Sequence, residues 1–281
     1  MSVEGKDEMS VEGRAEAATG TAVETYDLVR RFGDFTAVDG INLRVARGQF
    51  FGFLGPNGAG KSTTIKMLTG LLAPSAGRVR VLGRDITAEP LEVKRRIGVV
   101  PEDLNLFERL TGAEMLGFTG RMYGLGREDI QLRTRELLEL MELDTEPRRL
   151  VVEYSHGMKK KLALACALIH RPEILFLDEP FEGVDAVASR TLKDLLSRLT
   201  ARGLTVFLTS HVLEIVERLC TDIAIISDGR LVAAGPLEEL RRGISVGSAG
   251  GADAALSLED YFISVVGGTR DADADALQWL G

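Results

Sequence analysis

Gly55-Pro56-Asn57-Gly58-Ala59-Gly60-Lys61-Ser62 places glycines, one lysine and one hydroxyl in the order G-x-x-x-x-G-K-[ST], directly after the apolar run Phe50 to Leu54. That order suits the cradling of a polyphosphate. Glycine alone lets the backbone of Gly55, Gly58 and Gly60 come close enough to aim successive N–H groups at phosphate oxygens, with Asn57 and Ala59 in the same loop. Lys61 supplies a mobile cation for the β- and γ-phosphates, and the Ser62 hydroxyl is suited to Mg²⁺. A helix opening near Lys61, with Thr63 in its first turn, turns its positive end toward the anion. These residues read as a nucleotide site.

A second chemistry-bearing group is the pair Asp178-Glu179, at the carboxyl end of the apolar run Ile174-Leu-Phe-Leu. Open α/β sheets bind ligands at that end of their strands. Asp178 is placed to hold Mg²⁺, usually through water, and Glu179 to orient or deprotonate an attacking water. Helix capping is the alternative for two acids at a strand end.

The elements that must carry these groups are legible as periodicity. The chain becomes strand-like from Val23, with extended segments over Phe35 to Val45 and Gln49 to Leu54. Further apolar runs at Ile97 to Val100, Ile174 to Leu177, Leu204 to Leu208 and Ile223 to Ile226 suit strands buried on both faces. Helical stripes alternate with them: Leu162, Ala165, Cys166, Ile169 in one, and Leu192, Leu195, Leu196, Leu199 in another. The fold class is α/β with a mostly parallel sheet. Leu104 to Leu150 reads as helix only, with Leu137, Leu138 and Met141 on one face and a break at Gly124 and Gly126, hence an inserted helical subdomain that extends to about residue 170. Asp228-Gly229 between two apolar runs predicts a hairpin, and Pro236 suits the first turn of a short helix.

The bulk properties bound the function. With 281 residues and 45% hydrophobic content the chain can bury a sizeable core. Its net charge of −8, from 34 basic and 42 acidic residues, speaks against direct nucleic-acid binding. No apolar run approaches the roughly 18 to 20 residues that cross a bilayer. The polar, acidic start carries no secretory pattern, which predicts a cytoplasmic protein. Cys166 and Cys220 lack metal-ligand spacing and read as two reduced thiols in helices. Residues 1–8 (MSVEGKDE) are nearly repeated at 9–16 (MSVEGRAE), so 1–22 reads as a disordered leader in which Met9 is an alternative start. Residues 242–281 read as an extension with a loop over Ser245 to Ala255 and a loose Asp-rich end after Gly267.

Three more segments follow in order: Tyr154-Ser-His-Gly-Met158, Phe181-Glu-Gly-Val-Asp185, and His211 after the run Leu204 to Leu208. Together with the phosphate loop and the acid pair they resemble an ABC-type ATPase over roughly Val23 to Glu239, including the small antiparallel β subdomain of that P-loop NTPase fold. The resemblance implies that Ser155 and Gly157 grip the γ-phosphate held by a second ATPase protomer. It implies that Asp185 lies in the loop linking the paired sites, that His211 is the switch near the γ-phosphate, and that Phe32 stacks on adenine. It implies ATP and Mg²⁺ as ligands, and a separately encoded transmembrane permease that holds the dimer on the inner face of the cell membrane. The Pro-Glu at 101–102 and the Leu-Glu-Asp-Tyr-Phe at 258–262 look most like bacterial drug- and lipid-exporter ATPases. A soluble ABC-type ATPase outside transport and a binding-only regulatory subunit are the alternatives.

The chain departs from the commonest family pattern at three positions. His156 and Met158 stand for Gly and Gln in the signature, and Glu102 stands where Gln is usual. A carboxylate at 102 can still ligate Mg²⁺ but adds a third nearby acid, which predicts altered coupling or metal affinity. His156 reads either as a donor to phosphate when protonated or as a solvated side chain, and Lys159 to Lys161 read mostly as a solvated face.

Overall fold

The computed structural model describes residues 20–241 and 257–266. The leader up to residue 19, the alternative start at Met9, the loop Ser245 to Ala255 and the end after Gly267 lie outside the described residues.

Two sheets organise the chain. Strands β1 (Thr21–Phe32), β2 (Phe35–Ala46), β4 (Ala76–Val81) and β5 (Arg84–Asp85) form an antiparallel sheet in the order β2-β1-β4-β5. Strands β3 (Phe50–Leu54), β6 (Ile97–Val100), β7 (Ile174–Asp178), β8 (Thr205–Ser210), β9 (Asp222–Ser227) and β10 (Arg230–Pro236) form a second sheet, β10-β9-β3-β8-β7-β6. Its pairings are parallel except for the β9-β10 hairpin. The helices are α1 (Lys61–Leu68), α2 (Pro90–Lys94), α3 (Gly112–Met122), α4 (Arg127–Leu140), α5 (His156–Leu168), α6 (Ala186–Thr200), α7 (Leu213–Leu219) and α8 (Leu258–Val266).

The continuous apolar runs are explained by which side each residue serves. Phe51, Phe53, Phe176, Phe207, Ala224 and Ile226 point into a core shared with the antiparallel sheet and α1. Their chain neighbours Phe50, Leu54, Leu175, Leu177, Val206, Leu208, Ile223 and Ile225 point into the other core, with α5, α6 and α7. A strand covered on both faces needs no polar alternation. Phe207 sits at the middle of the first core, its ring 5.4 Å from Phe51 and 5.6 Å from both Phe53 and Phe176.

Leu104 to Leu150 contributes only α3 and α4. Its ends are tied together by an antiparallel bridge from Thr111 to Leu150 and by the Val151 N–H donating to the Leu110 carbonyl at 2.8 Å. Thr111 caps α3, accepting from the Glu114 N–H while the Glu114 carboxylate takes the Thr111 N–H.

Four local readings are corrected. The first strand starts at Thr21, inside the segment read as leader, because its residues pair with the end of β2. Strands β4 and β5 carry no apolar run, and the charged Ala-Gly-Arg-Val-Arg-Val of β4 becomes a strand by pairing with β1 on one side and β5 on the other. Pro236 is the last residue of β10, paired with Asp222, and the following helical turn starts at Leu237. Cys220 lies just past α7 as its cap rather than within a helix. Both thiols are unpaired, and burial pushes Cys166 up to about 11 and Cys220 higher still, so neither is poised as a nucleophile.

Two outcomes follow for stability. Phe207→Ala removes a fully buried ring from the centre of the aromatic group and should cost about 3–5 kcal/mol in urea denaturation. Glu173 takes Arg96 on both oxygens and Arg47 at 2.9 Å, and the Arg96 hydrogen bond above all holds its carboxyl below the ordinary range. A depressed carboxyl contributes stability above its unfolded pKa and loses it as pH falls. Glu173→Gln should therefore narrow the difference in Tm between neutral pH and about pH 4 relative to the unsubstituted protein.

Candidate functional site

The parallel register sets the site. β3, β8 and β7 are adjacent, with Leu54 beside Ser210, Phe53 beside Thr209 and Asp178 beside Thr209. The phosphate loop, the acid pair and His211 therefore leave the sheet at one edge. Gly60 caps α1 with φ of 108°, and a Cβ there would lie 2.5 Å from the Ala37 carbonyl oxygen. At Gly55 a Cβ would come within 2.4 Å of the Ile226 carbonyl oxygen. Both glycines are demanded by backbone geometry and close approach.

Over this edge lies a cleft of about 440 Å³ whose walls include Phe32, Phe35, Asn57, Gly58, Gly60, Lys61, Ser62, Thr63, Glu102, Glu179, Glu182 and His211. Lys61 is 6% exposed; its Nζ donates to the carbonyls of Gly55 at 2.8 Å and Pro56 at 3.3 Å and stands 3.7 Å from Glu179 Oε1. Glu179 Oε1 is buried without a hydrogen bond, and its Oε2 lies 3.1 Å from His211 Nδ1. An oxygen of a cleft-lining carboxylate that has an ion-pair neighbour but no hydrogen bond is chemically open to accept one from a water. Ser62 Oγ donates to Glu102 Oε2 at 3.4 Å, so two hard oxygens meet beside the loop. Mg²⁺ fits such a pair, because it is held by few protein oxygens and completes its shell with water and phosphate.

Asp178 is buried behind the cleft, and its Oδ1 accepts from Thr209 Oγ1 at 2.5 Å. The same hydroxyl accepts from the Glu179 N–H at 3.1 Å. Thr209 thus fixes both acids. Glu179 itself has φ of 47°, a left-handed conformation that costs a non-glycine residue about 1–2 kcal/mol and turns its side chain toward Lys61 and His211.

Ser155, Gly157 and Asp185 do not line the cleft. Ser155 caps α5, accepting from the Met158 N–H at 3.2 Å. Asp185 caps α6 by accepting from the Val187 and Ala188 N–H groups, the Ala188 bond foremost in holding its carboxyl below the ordinary value. Asp185 Oδ2 is 3.3 Å from where a Gly157 Cβ would stand, so these two helix starts form one second surface. His156 neither faces the cleft nor floats free: its Nε2 is 3.2 Å from the Glu182 carbonyl oxygen and its ring covers Gly183.

The expectation of a solvated Lys159 to Lys161 face is overturned. Lys160 is 3% and Lys161 7% exposed, the latter paired with Glu142 at 2.9 Å, while Lys159 meets Glu108 at 3.3 Å. The stripe at 162, 165 and 166 faces the core, and the packing of α5 carries Lys160 beneath the loops of Glu102 and Glu179 and Lys161 against Glu142, just past α4. Sequence reading also passed over Phe35, Glu182 and Thr209. Thr209 was locatable only as the residue that parallel pairing sets beside Asp178.

Comparison with known proteins identifies the family. Residues 38–182 match the family model described as ABC transporter. The daunorubicin resistance ATP-binding protein DrrA3 of Streptomyces coeruleorubidus is 42% identical over 221 residues, covering 79% of this chain and 70% of that protein. A solved structure of an ATP-binding subunit of an ABC transporter superposes with a TM-score of 0.78 at 31% identity, covering 87% of this chain and 99% of that one. A dimeric ATP-binding cassette, MJ0796, in a post-hydrolysis state with ADP and Pi superposes at 0.71 with 25% identity, covering 76% and 98%. The chain belongs to the ABC transporter family and has the P-loop NTPase fold of its ATP-binding subunits.

Thr209→Val keeps the shape but leaves a buried Asp178 oxygen and the Glu179 N–H without their partner. The expected cost is about 1–3 kcal/mol in chemical denaturation, with Thr209→Ser retaining most of the stability.

Proposed function

We propose that the chain is the ATP-hydrolysing subunit of an ABC exporter, closing as a dimer around two MgATP to drive a separately encoded transmembrane permease from the inner face of the membrane. The observation that carries this reading is the division of the family's elements between two surfaces. Lys61, Ser62, Glu102, Glu179 and His211 border the cleft, whereas Ser155, Gly157 and Asp185 stand away from it. A site so divided is complete only when a second protomer brings its α5 N-terminus to the first protomer's phosphates.

In that assembly Phe32, 46% exposed on the cleft wall with the Arg30 guanidinium 4.5 Å from its ring, offers a face to adenine. The loop Gly55 to Gly60, with the N-terminus of α1 behind it, presents N–H groups to the phosphates, and Lys61 exchanges its carbonyl partners for phosphate oxygens. Ser62, Glu102 and Asp178 would hold Mg²⁺, which neutralises charge on the transferred group. Glu179 takes the proton of the attacking water, and His211 fixes the carboxylate and the γ-phosphate side of the cleft. Catalysis is then positioning and charge stabilisation, with no covalent intermediate on the protein.

Export is supported by the resistance role in the name of the Streptomyces relative, since a transport ATPase confers resistance by moving a drug away. Among the described residues no helix is long and apolar enough to cross a membrane, so a permease must be another chain or lie elsewhere. We assign its docking to the groove of about 600 Å³ between α3, α4 and the segment ending at Tyr154, in the helical region inserted between β6 and β7.

Glu179→Gln should lower kcat about 10²–10⁴-fold while MgATP binding persists, and it should accumulate ATP-bound dimers in size-exclusion chromatography. Wild-type activity should rise faster than linearly with protein concentration. Unchanged turnover in the variant would remove Glu179 as the base. Ala113→Trp, filling the groove from an exposed position, should release the subunit from membranes of its source cells while leaving MgATP affinity intact.

A further inference from the structure

Lys160, in the second turn of α5, is a charged side chain only 3% exposed, and the reaction described above makes no use of it. Its Nζ donates to the carbonyl oxygen of Glu179 at 3.1 Å and to that of Glu102 at 3.3 Å. These are the backbone oxygens of two of the acids that border the cleft, one after β7 and one after the adjacent parallel strand β6.

The bond to Glu179 falls at the left-handed residue. There both backbone groups are held by side chains: the N–H by Thr209 and the carbonyl by Lys160, with the Glu182 N–H reaching the same carbonyl at 3.3 Å. A residue in a strained conformation keeps it only when its surroundings over-determine it. Thr209 secures the peptide unit before Glu179 and Lys160 the one after it. Without the ammonium, the Glu179 carbonyl keeps only the long Glu182 contact and the Glu102 carbonyl loses this donor.

We propose that Lys160 is a positioning residue that braces the Glu179 and Glu102 backbones against α5, so that the start of the signature helix, the base and the metal-side acid move as one unit. The inference rests on the hydrolase reading of the cleft. Burial pulls the Lys160 ammonium toward its neutral form, and the carboxylates of Glu182, Glu102, Asp178 and Glu179 oppose that pull. The same positive charge lies beneath a cleft bordered by carboxylates that must admit a polyanion, a second reason for a cation rather than a neutral donor there. Because α5 carries Ser155 and Gly157 at its N-terminus, Lys160 joins the surface offered to one nucleotide to the acids that serve the other.

The test is steady-state MgATP hydrolysis by Lys160→Met and Lys160→Gln, set beside Val45→Ala, a core change on β2 that lines neither the cleft nor the void beside Lys160, with all proteins assayed well below their Tm. A displaced base predicts a kcat about 10- to 100-fold lower in Lys160→Met, with KM for ATP changed no more than about threefold. Lys160→Gln, whose amide can reach one carbonyl but not both, should fall between. Hydrogen exchange at the Glu182 N–H should quicken in Lys160→Met and stay unchanged in Val45→Ala. A merely structural role would lower Tm in Lys160→Met and Val45→Ala alike and leave kcat of the folded protein intact, which overturns the proposal. Wild-type turnover with an unaffected Lys160→Met overturns the brace alone. No turnover in the wild type under dimer-forming conditions overturns the hydrolase reading and the brace that depends on it.

Discussion

Parallel pairing of β3, β8 and β7 is the constraint on which the rest of the molecule depends. Because these strands run the same way and lie side by side, their carboxyl ends bring a glycine-rich loop, an acid pair and a histidine together from positions about 55, 178 and 211 of the chain. The register is held by burial on both faces, with Phe207 between Phe51, Phe53 and Phe176 on one side and Val206 and Leu208 in the other core. A one-residue slip would exchange the two sides of every strand, so the core that stabilises the sheet also fixes the distance from Lys61 to Glu179.

The electrostatics of the cleft are set by that arrangement. Glu102, Glu179 and Glu182 border it and Asp178 lies behind, against Lys61 at the loop and Lys160 below. So many carboxylates would repel a polyphosphate if nothing offset them. The backbone N–H groups of the loop, the α1 N-terminus and the two lysines supply the opposing field. Glu102 in place of a neutral amide raises the demand on the cations, and the buried ammonium of Lys160 sits where that demand is greatest.

A second surface lies apart from the cleft. The N-termini of α5 and α6 are capped by Ser155 and Asp185, whose oxygens are occupied by their own helix N–H groups. His156 ties this surface to the Glu182 carbonyl, and Glu182 in turn borders the cleft. The route from the cleft to this second surface is therefore short, running through the Glu182 loop and the His156 hydrogen bond to the start of α5.

The sequence by itself determined the parts whose signals are local. The phosphate loop is written in glycines that close backbone approach requires, the buried strands in unbroken apolar runs, the β9-β10 hairpin in Asp228-Gly229, both at positive φ, and α5 and α6 in their stripes. Tertiary structure decided what depends on neighbours. Strand β4 exists because β1 pairs with it, and Pro236 ends a strand because Asp222 lies opposite. Phe35 and Glu182 border the cleft, and Thr209 holds both acids, through contacts between segments distant in the chain. Lys160 shows the difference most clearly: three successive lysines resemble a solvated face, yet α5 packs so that two of them are buried, because carbonyls and carboxylates brought in by β6, β7 and Glu142 meet their charge there.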